Sequence, residues 1–279
     1  MIKLNVLLPT YNYPLGLNLI LNKILCEKKY INQVFIFDNT KNKSIYNLFQ
    51  KFKLVLNINY HHSMPTSSPQ INWQNLIKTS NCDYFIIMHH DDIPVEKNFF
   101  RKTHQLLKFY NKPDVLSVNT FINDSSILNN RIHTHAFLRK IILKYFFPYI
   151  VLRNVIGPLS SLIIKKKKLI NYTFDKRLDW LIDVKFYYYF LKKSSIVVTD
   201  LLSVKSLLLN KESLTLKIKN KFIYKYKEKK FITKDLLLLY YIFDFLFWYS
   251  YRVFSYTFFL IKKIFINVII KTRSILDST

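Results

Sequence analysis

Strand-length apolar runs alternate with longer stretches of helical periodicity from residue 4 to residue 121, and this alternation constrains the fold more than anything else in the chain. Residues 4–8 read as a buried strand that ends at Pro9-Thr10-Tyr11-Asn12, and 15–26 carry apolar residues at helical spacing. A second short strand at 34–37 is closed by Asp38-Asn39-Thr40. A helix over 44–52, a strand over 54–58, a polar loop over 61–70 broken by Pro65 and Pro69, a helix over 71–79 and a strand over 84–88 follow. Strands that alternate with helices predict an α/β fold with a mainly parallel, Rossmann-like central sheet, whose ligand groups gather at the strands' carboxyl ends.

The run 83–92 puts chemistry at one such end. Its apolar strand delivers His89-His90-Asp91-Asp92 at its exit. A divalent cation on a diphosphate needs hard oxygen ligands, and one or two carboxylates supply them while the phosphates fill other positions. The alternative is that Asp91 and Asp92 only cap the turn before Pro94. Beyond it, a helix over 95–109, a strand over 114–121 and an irregular to helical section over 127–152 are expected. Gly157, one of two glycines, precedes Pro158 and opens a strand to Ile164; a glycine retained in so glycine-poor a chain answers a backbone need or marks an ordinary turn. Asp179 and Asp183 are four residues apart, which on a helix puts them on one face around Trp180. A further short strand is expected at 196–198 and a polar turn at 210–215.

Composition narrows the class. Half of the 279 residues are hydrophobic, which suffices for one large α/β domain with appendages. Lys and Arg outnumber Asp and Glu by 43 to 17, a net +26 that favours anionic partners. Abundant Lys, Asn, Ile, Phe and Tyr beside few Gly is also the bias of an AT-rich genome. No Arg-rich arm, zinc spacing or RNA-binding aromatic motif is present, so nucleic acid is not the expected partner. Two cysteines without ligand spacing fit a reduced compartment. The first apolar run breaks at Pro9 without a signal-peptide pattern, giving a cytoplasmic reading. From Lys217 the chain turns basic and then aromatic and aliphatic, with charges that interrupt any clean span. A helical extension over 216–279 lying on the inner face of the cytoplasmic membrane is expected; a cap on the core or a homodimer contact are the alternatives.

Four patterns in order, Pro9-Thr10-Tyr11-Asn12, Phe37-Asp38-Asn39, His89-His90-Asp91-Asp92 and Asp183 opening an aromatic helix, resemble the family 2 glycosyltransferases of the GT-A fold. The helix around Asn72-Trp73-Gln74-Asn75 also looks like part of that family's nucleotide-binding half. The resemblance covers 1–215, with 1–105 as nucleotide-sugar half and 106–215 as acceptor half. It implies an inverting transfer from a nucleotide sugar, a UDP-sugar being the expected donor, to a glycan or lipid-linked acceptor in bacterial surface polysaccharide assembly. It places Pro9, Thr10, Tyr11, Asn12, Asp38, Asn75, His90 and Asp91 on the nucleotide, Asp91 on Mn²⁺ or Mg²⁺, and Gly157, Pro158, Ser160, Asp179 and Trp180 on the acceptor side. Asp183 aligns with the catalytic base, with Asp179 as its competitor. His89 stands where the family has the first acid of Asp-x-Asp; an imidazole can ligate Mn²⁺ but suits Mg²⁺ poorly. Ile182 also replaces an acid that often precedes the base. These departures keep a non-catalytic membrane adaptor open as a second reading. A nucleotidyltransferase, which needs a Gly-rich phosphate loop, is a third.

Overall fold

The computed structural model describes residues 2–63, 68–123, 131–169, 171–207 and 227–232. The chain divides into two compact units, Met1–Ile232 and Thr233–Thr279. The expected turn at 210–215 and nearly all of the helical extension lie outside the described residues. Among those residues, no helix is long and apolar enough to cross a membrane.

Four parallel strands make up the first half of the sheet, in the spatial order β3 (Ile58–His62), β2 (Gln33–Asp38), β1 (Leu4–Thr10), β4 (Tyr84–Ile87). β1 is buried along its whole length, the reason it reads as a continuous apolar run: helices cover both faces of a parallel sheet. Helix α1 (Pro14–Cys26) buries Leu17, Ile20, Leu21 and Ile24, one stripe at helical spacing, into the core that Val6, Leu8, Ile36 and Ile86 share. Beyond β4 the order continues β8 (Leu162–Lys165), β6 (Val115–Asn123), β9 (Ile196–Leu207), β5 (Asp92–Pro94), with β7 (Arg131–Ile132) beside β6. β8 runs against both β4 and β6, and β6 lies parallel to β9. Helices α2 (Ser44–Phe52), α3 (Pro69–Thr79), α4 (Phe99–Phe109), α5 (Ala136–Tyr145), α6 (Tyr149–Leu152) and α7 (Ile182–Leu191) complete this unit.

Three expectations shift. The strand expected at 54–58 lies at Ile58–His62, because Val55 and Leu56 donate back to the Phe52 carbonyl and continue the end of α2, leaving Leu54 exposed. The real β3 is an edge strand and so carries polar residues. The helix expected from 95 starts at Phe99, because Asp92 to Pro94 pair with Ser206 to Val204, and the Val95 N–H goes to the Ser203 carbonyl. The strand expected at 196–198 extends to Leu207 for the same reason: pairing with β5 and β6 recruits residues without an apolar pattern.

β6 and β9 change register between Ser117 and Asn119, and Arg139 of α5 fills that irregularity. Its buried guanidinium donates to the Ser117 hydroxyl, the Val118 carbonyl and Asn119 Oδ1. The cation thus supplies donors to groups that the bulge would leave unpaired.

Candidate active site

Registration of the parallel strands sets the site. Thr10 is level with Asp38 and Asp38 with His62, while the Met88 N–H bonds the Leu7 carbonyl one step before His89. The expected nucleotide-side residues and the acidic exit therefore share the carboxyl edge of the sheet. Asp38 is fully buried: Oδ1 accepts the Thr40 N–H at 2.8 Å and Oδ2 accepts the Tyr60 hydroxyl at 2.7 Å. Burial, then Asp38 itself, pushes the Tyr60 hydroxyl pKa far up, so it stays a donor. Asp38 thus shapes the 38–40 turn, with Tyr60 covering its second oxygen. That turn holds the first loop, with the Asn12 N–H donating to Thr40 Oγ1 at 3.0 Å and the Asn39 N–H to the Thr10 carbonyl at 3.1 Å. Asn12 takes a positive φ of 49°, which asparagine tolerates. Tyr11 beside it is partly exposed, and Pro9 and Thr10 are the buried last residues of β1. Asn75 lies partly exposed on α3.

The four residues leaving β4 divide by environment. His89 turns its ring edge toward Trp73 of α3, with centroids 5.3 Å apart. Burial pulls its pKa down to about 4 against the opposing charge of Asp91, so the imidazole is neutral at pH 7. His90 packs against the loop between β1 and α1: its ring lies 5.5 Å from Tyr13, and its carbonyl packs where a side chain on Gly16 would be. Burial lowers its pKa too, with Asp91 and the Pro9 backbone pulling it back up. Asp91 keeps partial exposure. Asp92 is buried, bonded by the Ser160 hydroxyl at 2.7 Å and by Ser206, and burial raises its pKa to about 7. The pair separates into a partly exposed carboxylate and a buried tie between β5 and the loop that carries Ser160.

That loop is built on Gly157, whose φ of +101° and closeness to Thr120 both demand glycine; a Cβ would lie 2.7 Å from Thr120 Oγ1. Asn154 closes it, accepting the Ile156 and Gly157 N–H groups at 3.1 and 3.0 Å and donating to the Gly157 carbonyl at 2.9 Å. The same amide donates to Asp183 Oδ2 at 3.0 Å. Tyr187, one turn along α7, bonds the Gly157 carbonyl at 3.0 Å. Burial lifts the Asp183 pKa to about 7, against backbone N–H bonds that lower it and with Glu228 adding to the rise. Pro158 and Ser160 line the start of β8, where Ser160 holds Asp92.

Asp179 and Asp183 do not share a helical face. α7 starts at Ile182, and 179–181 form a bend whose three consecutive N–H groups all point to the Glu228 carboxylate. Asp179 is exposed and Trp180 partly so. Helix α3 ties this region to the first half of the sheet: Gln74 donates to the Tyr172 carbonyl and accepts from the Phe174 N–H, both at 3.0 Å, and Gln70 donates to the Leu178 carbonyl. Tyr60, Asn154, Tyr187 and Glu228 were not legible as site residues; only Asn72-Trp73-Gln74-Asn75 signalled the role of α3.

Among the described residues, no three His, Cys, Asp or Glu side chains cluster as a metal-binding group. Neutral His89 and partly exposed Asp91 are chemically suited to an ion that takes its remaining ligands from a diphosphate and water.

No protein-family model and no curated protein matches this chain. Solved structures do. S. aureus TarS 1-349 in complex with UDP-GlcNAc aligns with a TM-score of 0.65 and 14% identity over 85% of this chain and 68% of that one. S. aureus TarS 1-349 aligns with a TM-score of 0.58 and 16% identity over 74% and 60%, and its UDP complex with 0.56 and 15% over the same shares. The chain thus spans about 60% of the length of TarS 1-349. The likeness is one of fold, the GT-A glycosyltransferase fold that the ordered motifs resemble.

Proposed function

We propose that this GT-A scaffold carries an inverting glycosyltransferase that moves a sugar from a UDP-sugar to a hydroxyl of a glycan or lipid-linked acceptor, with Asp183 as base. The observation that carries this reading is the Asp183 carboxyl: held by Asn154 against the Gly157 turn, it has its pKa raised by burial to about 7. A base poised near the working pH combines the deprotonated form with useful proton affinity. Its oxygens retain lone pairs beyond the bonds from Asn154 and the Val184 N–H, so an acceptor hydroxyl can donate to it. The structural likeness to TarS bound to UDP-GlcNAc supports a UDP-sugar donor.

In this reading the carboxyl edge of β1, β2 and β4 receives the nucleotide, and Asp38 acts through the 38–40 turn it orders. The acceptor oxygen attacks the anomeric carbon from the face opposite the diphosphate and passes its proton to Asp183. The bond from that carbon to the diphosphate oxygen breaks, its electron pair leaves with the UDP, and the configuration inverts. His89 and Asp91 would hold Mn²⁺ or Mg²⁺, which supplies positive charge to the leaving diphosphate. Asp92 acts as the tie to Ser160. The basic, aromatic sequence of the 216–279 extension, apart from the 227–232 segment that packs on the first unit, fits peripheral contact with an anionic inner leaflet, where a lipid-linked acceptor is presented.

The test is transfer from UDP-sugars to a lipid-linked acceptor, with UDP binding measured in parallel. Asp183→Asn is expected to lower kcat by about 10²- to 10⁴-fold while UDP still binds. A variant that transfers sugar at the original rate overturns the assignment of the base. No UDP or UDP-sugar binding by the unmodified chain, with or without Mn²⁺, would favour the non-catalytic adaptor.

A further inference from the structure

We infer that Glu228, far from the ordered motifs in sequence, is a positioning residue for the catalytic carboxylate, holding the start of α7 against the loop that carries Asn154. The inference rests on the reading of Asp183 as base.

Helix α7 begins without a cap of its own. Its N-cap residue is Leu181, and the first turn of any helix leaves N–H groups that need acceptors. Immediately before that turn Glu228 gathers three more N–H groups: Oε1 accepts those of Asp179 and Trp180 at 2.8 and 3.1 Å, and Oε2 accepts those of Trp180 and Leu181 at 3.1 and 2.7 Å. The carboxylate is only 7% exposed, so these are charge-assisted bonds in a setting that water barely screens. Placing a negative charge at the positive end of a helix adds to the hold.

The flanking residues point the same way. Lys229, equally buried, donates from Nζ to the Leu152 carbonyl at the end of α6, two residues before Asn154. Phe231 lies under the guanidinium of Arg177 at 4.3 Å and the ammonium of Lys185 at 4.8 Å, two cations that also bind Asp175. One short helical segment, 227–232, therefore grips the start of α7 and the end of α6 together. Between those two grips runs the hydrogen bond from Asn154 to Asp183. Spreading the elements by a fraction of an ångström breaks that bond and moves the base relative to the acceptor oxygen.

Charge gives a readout that a purely architectural cap does not. Among the described residues, Glu228 of the 227–232 segment and Tyr187 of α7 itself interact electrostatically with Asp183, and Asp92 of β5 acts on Tyr187 in turn. Glu228 is the one whose carboxylate raises the base's proton affinity and whose removal leaves the fold's β-sheet contacts intact.

The experiment uses the full chain and measures kcat, acceptor KM, UDP affinity and the pH profile of kcat/KM for Glu228→Gln, Glu228→Ala and Glu228→Asp. Displacing a base by about 1 Å can cost on the order of 10²-fold, so Glu228→Ala is expected to lose about that much in kcat with UDP affinity unchanged. Glu228→Gln keeps the size and loses the charge; the acid limb of its profile is expected to move to lower pH. Glu228→Asp is expected to recover part of kcat. If Glu228→Ala fails to fold, the Glu228→Gln profile decides. An unmoved acid limb with unaltered kcat, or a loss of UDP affinity in step with kcat, overturns the inference. Asp183→Asn separates the two readings: if it retains full activity, Asp183 is not the base, whatever Glu228 does.

Discussion

Replacing Gly16 by alanine sets two physical effects against each other, and the structure decides which wins. In a helix interior alanine is better than glycine by about 1 kcal/mol, the upper bound for Gly16 in the first turn of α1, so local propensity predicts a more stable helix. The Cβ, however, would sit 1.9 Å from the His90 carbonyl oxygen and 2.4 Å from Cε1 of Tyr13. The Tyr13 ring can rotate away; the His90 carbonyl is backbone at the exit of β4 and cannot. Restoring the 3.0 Å floor of real Cβ contacts requires α1 and the exit of β4 to separate by about 1 Å. Overpacking of this kind costs about 1–3 kcal/mol and more where backbone must shift, so a net loss of about 2 kcal/mol is expected after the helical gain. For a unit of this size that lowers the Tm by roughly 4–8 °C. The same shift displaces His90 and Asp91, so UDP affinity is expected to fall as well. Thermal unfolding followed by circular dichroism, with calorimetric UDP titration, measures both. Leu15→Ala compared with Leu15→Gly, at a neighbouring position 71% exposed, reports the helical term alone. A Gly16→Ala protein as stable as the parent, with unaltered UDP binding, refutes the packing argument.

The other predictions follow from single contacts. Because burial raises the Asp183 pKa to about 7, kcat/KM is expected to fall as pH drops below about 7, and the same group makes folding stability decline as pH rises from about 4 through about 7. Denaturation curves of Asp183→Asn against pH are expected to lose that part of the slope; an unchanged slope would mean that the carboxyl is not buried as described. Tyr60→Phe removes the donor to Oδ2 of fully buried Asp38, at an expected cost of about 1–3 kcal/mol in urea unfolding, and an unchanged midpoint would show that Asp38 has another partner. His89→Asp restores a hard oxygen ligand, so UDP titrations are expected to move from Mn²⁺ preference toward Mg²⁺; equal dependence in both proteins removes His89 from the metal site.

Much of the first half of the sheet was legible because parallel strands buried on both faces must be apolar throughout and their connecting helices must be amphipathic. The runs at 4–8, 34–37 and 84–88 therefore marked β1, β2 and β4, and their polar exits marked Asp38 and Asp91. Gly157 also announced itself, since a positive φ pressed against Thr120 admits no side chain. β3 and the second half of β9 carried no such mark, because edge strands and strands recruited by pairing are not obliged to alternate.

The alternating pattern and the strand-end carboxylates belong to the sequence alone, since burial on two faces and ligand chemistry act on residue type within a few positions. Which carboxylate stays partly exposed, why α7 starts at Ile182 and not before Asp179, and how Asn154 meets Asp183 were decided only by tertiary contact. Glu228 reaches the start of α7 from 47 residues away at its nearest bond, and Ser160 reaches Asp92 from 68. Hydrogen bonds and desolvation act through space over a few ångströms, and nothing in local composition records which distant group will arrive there.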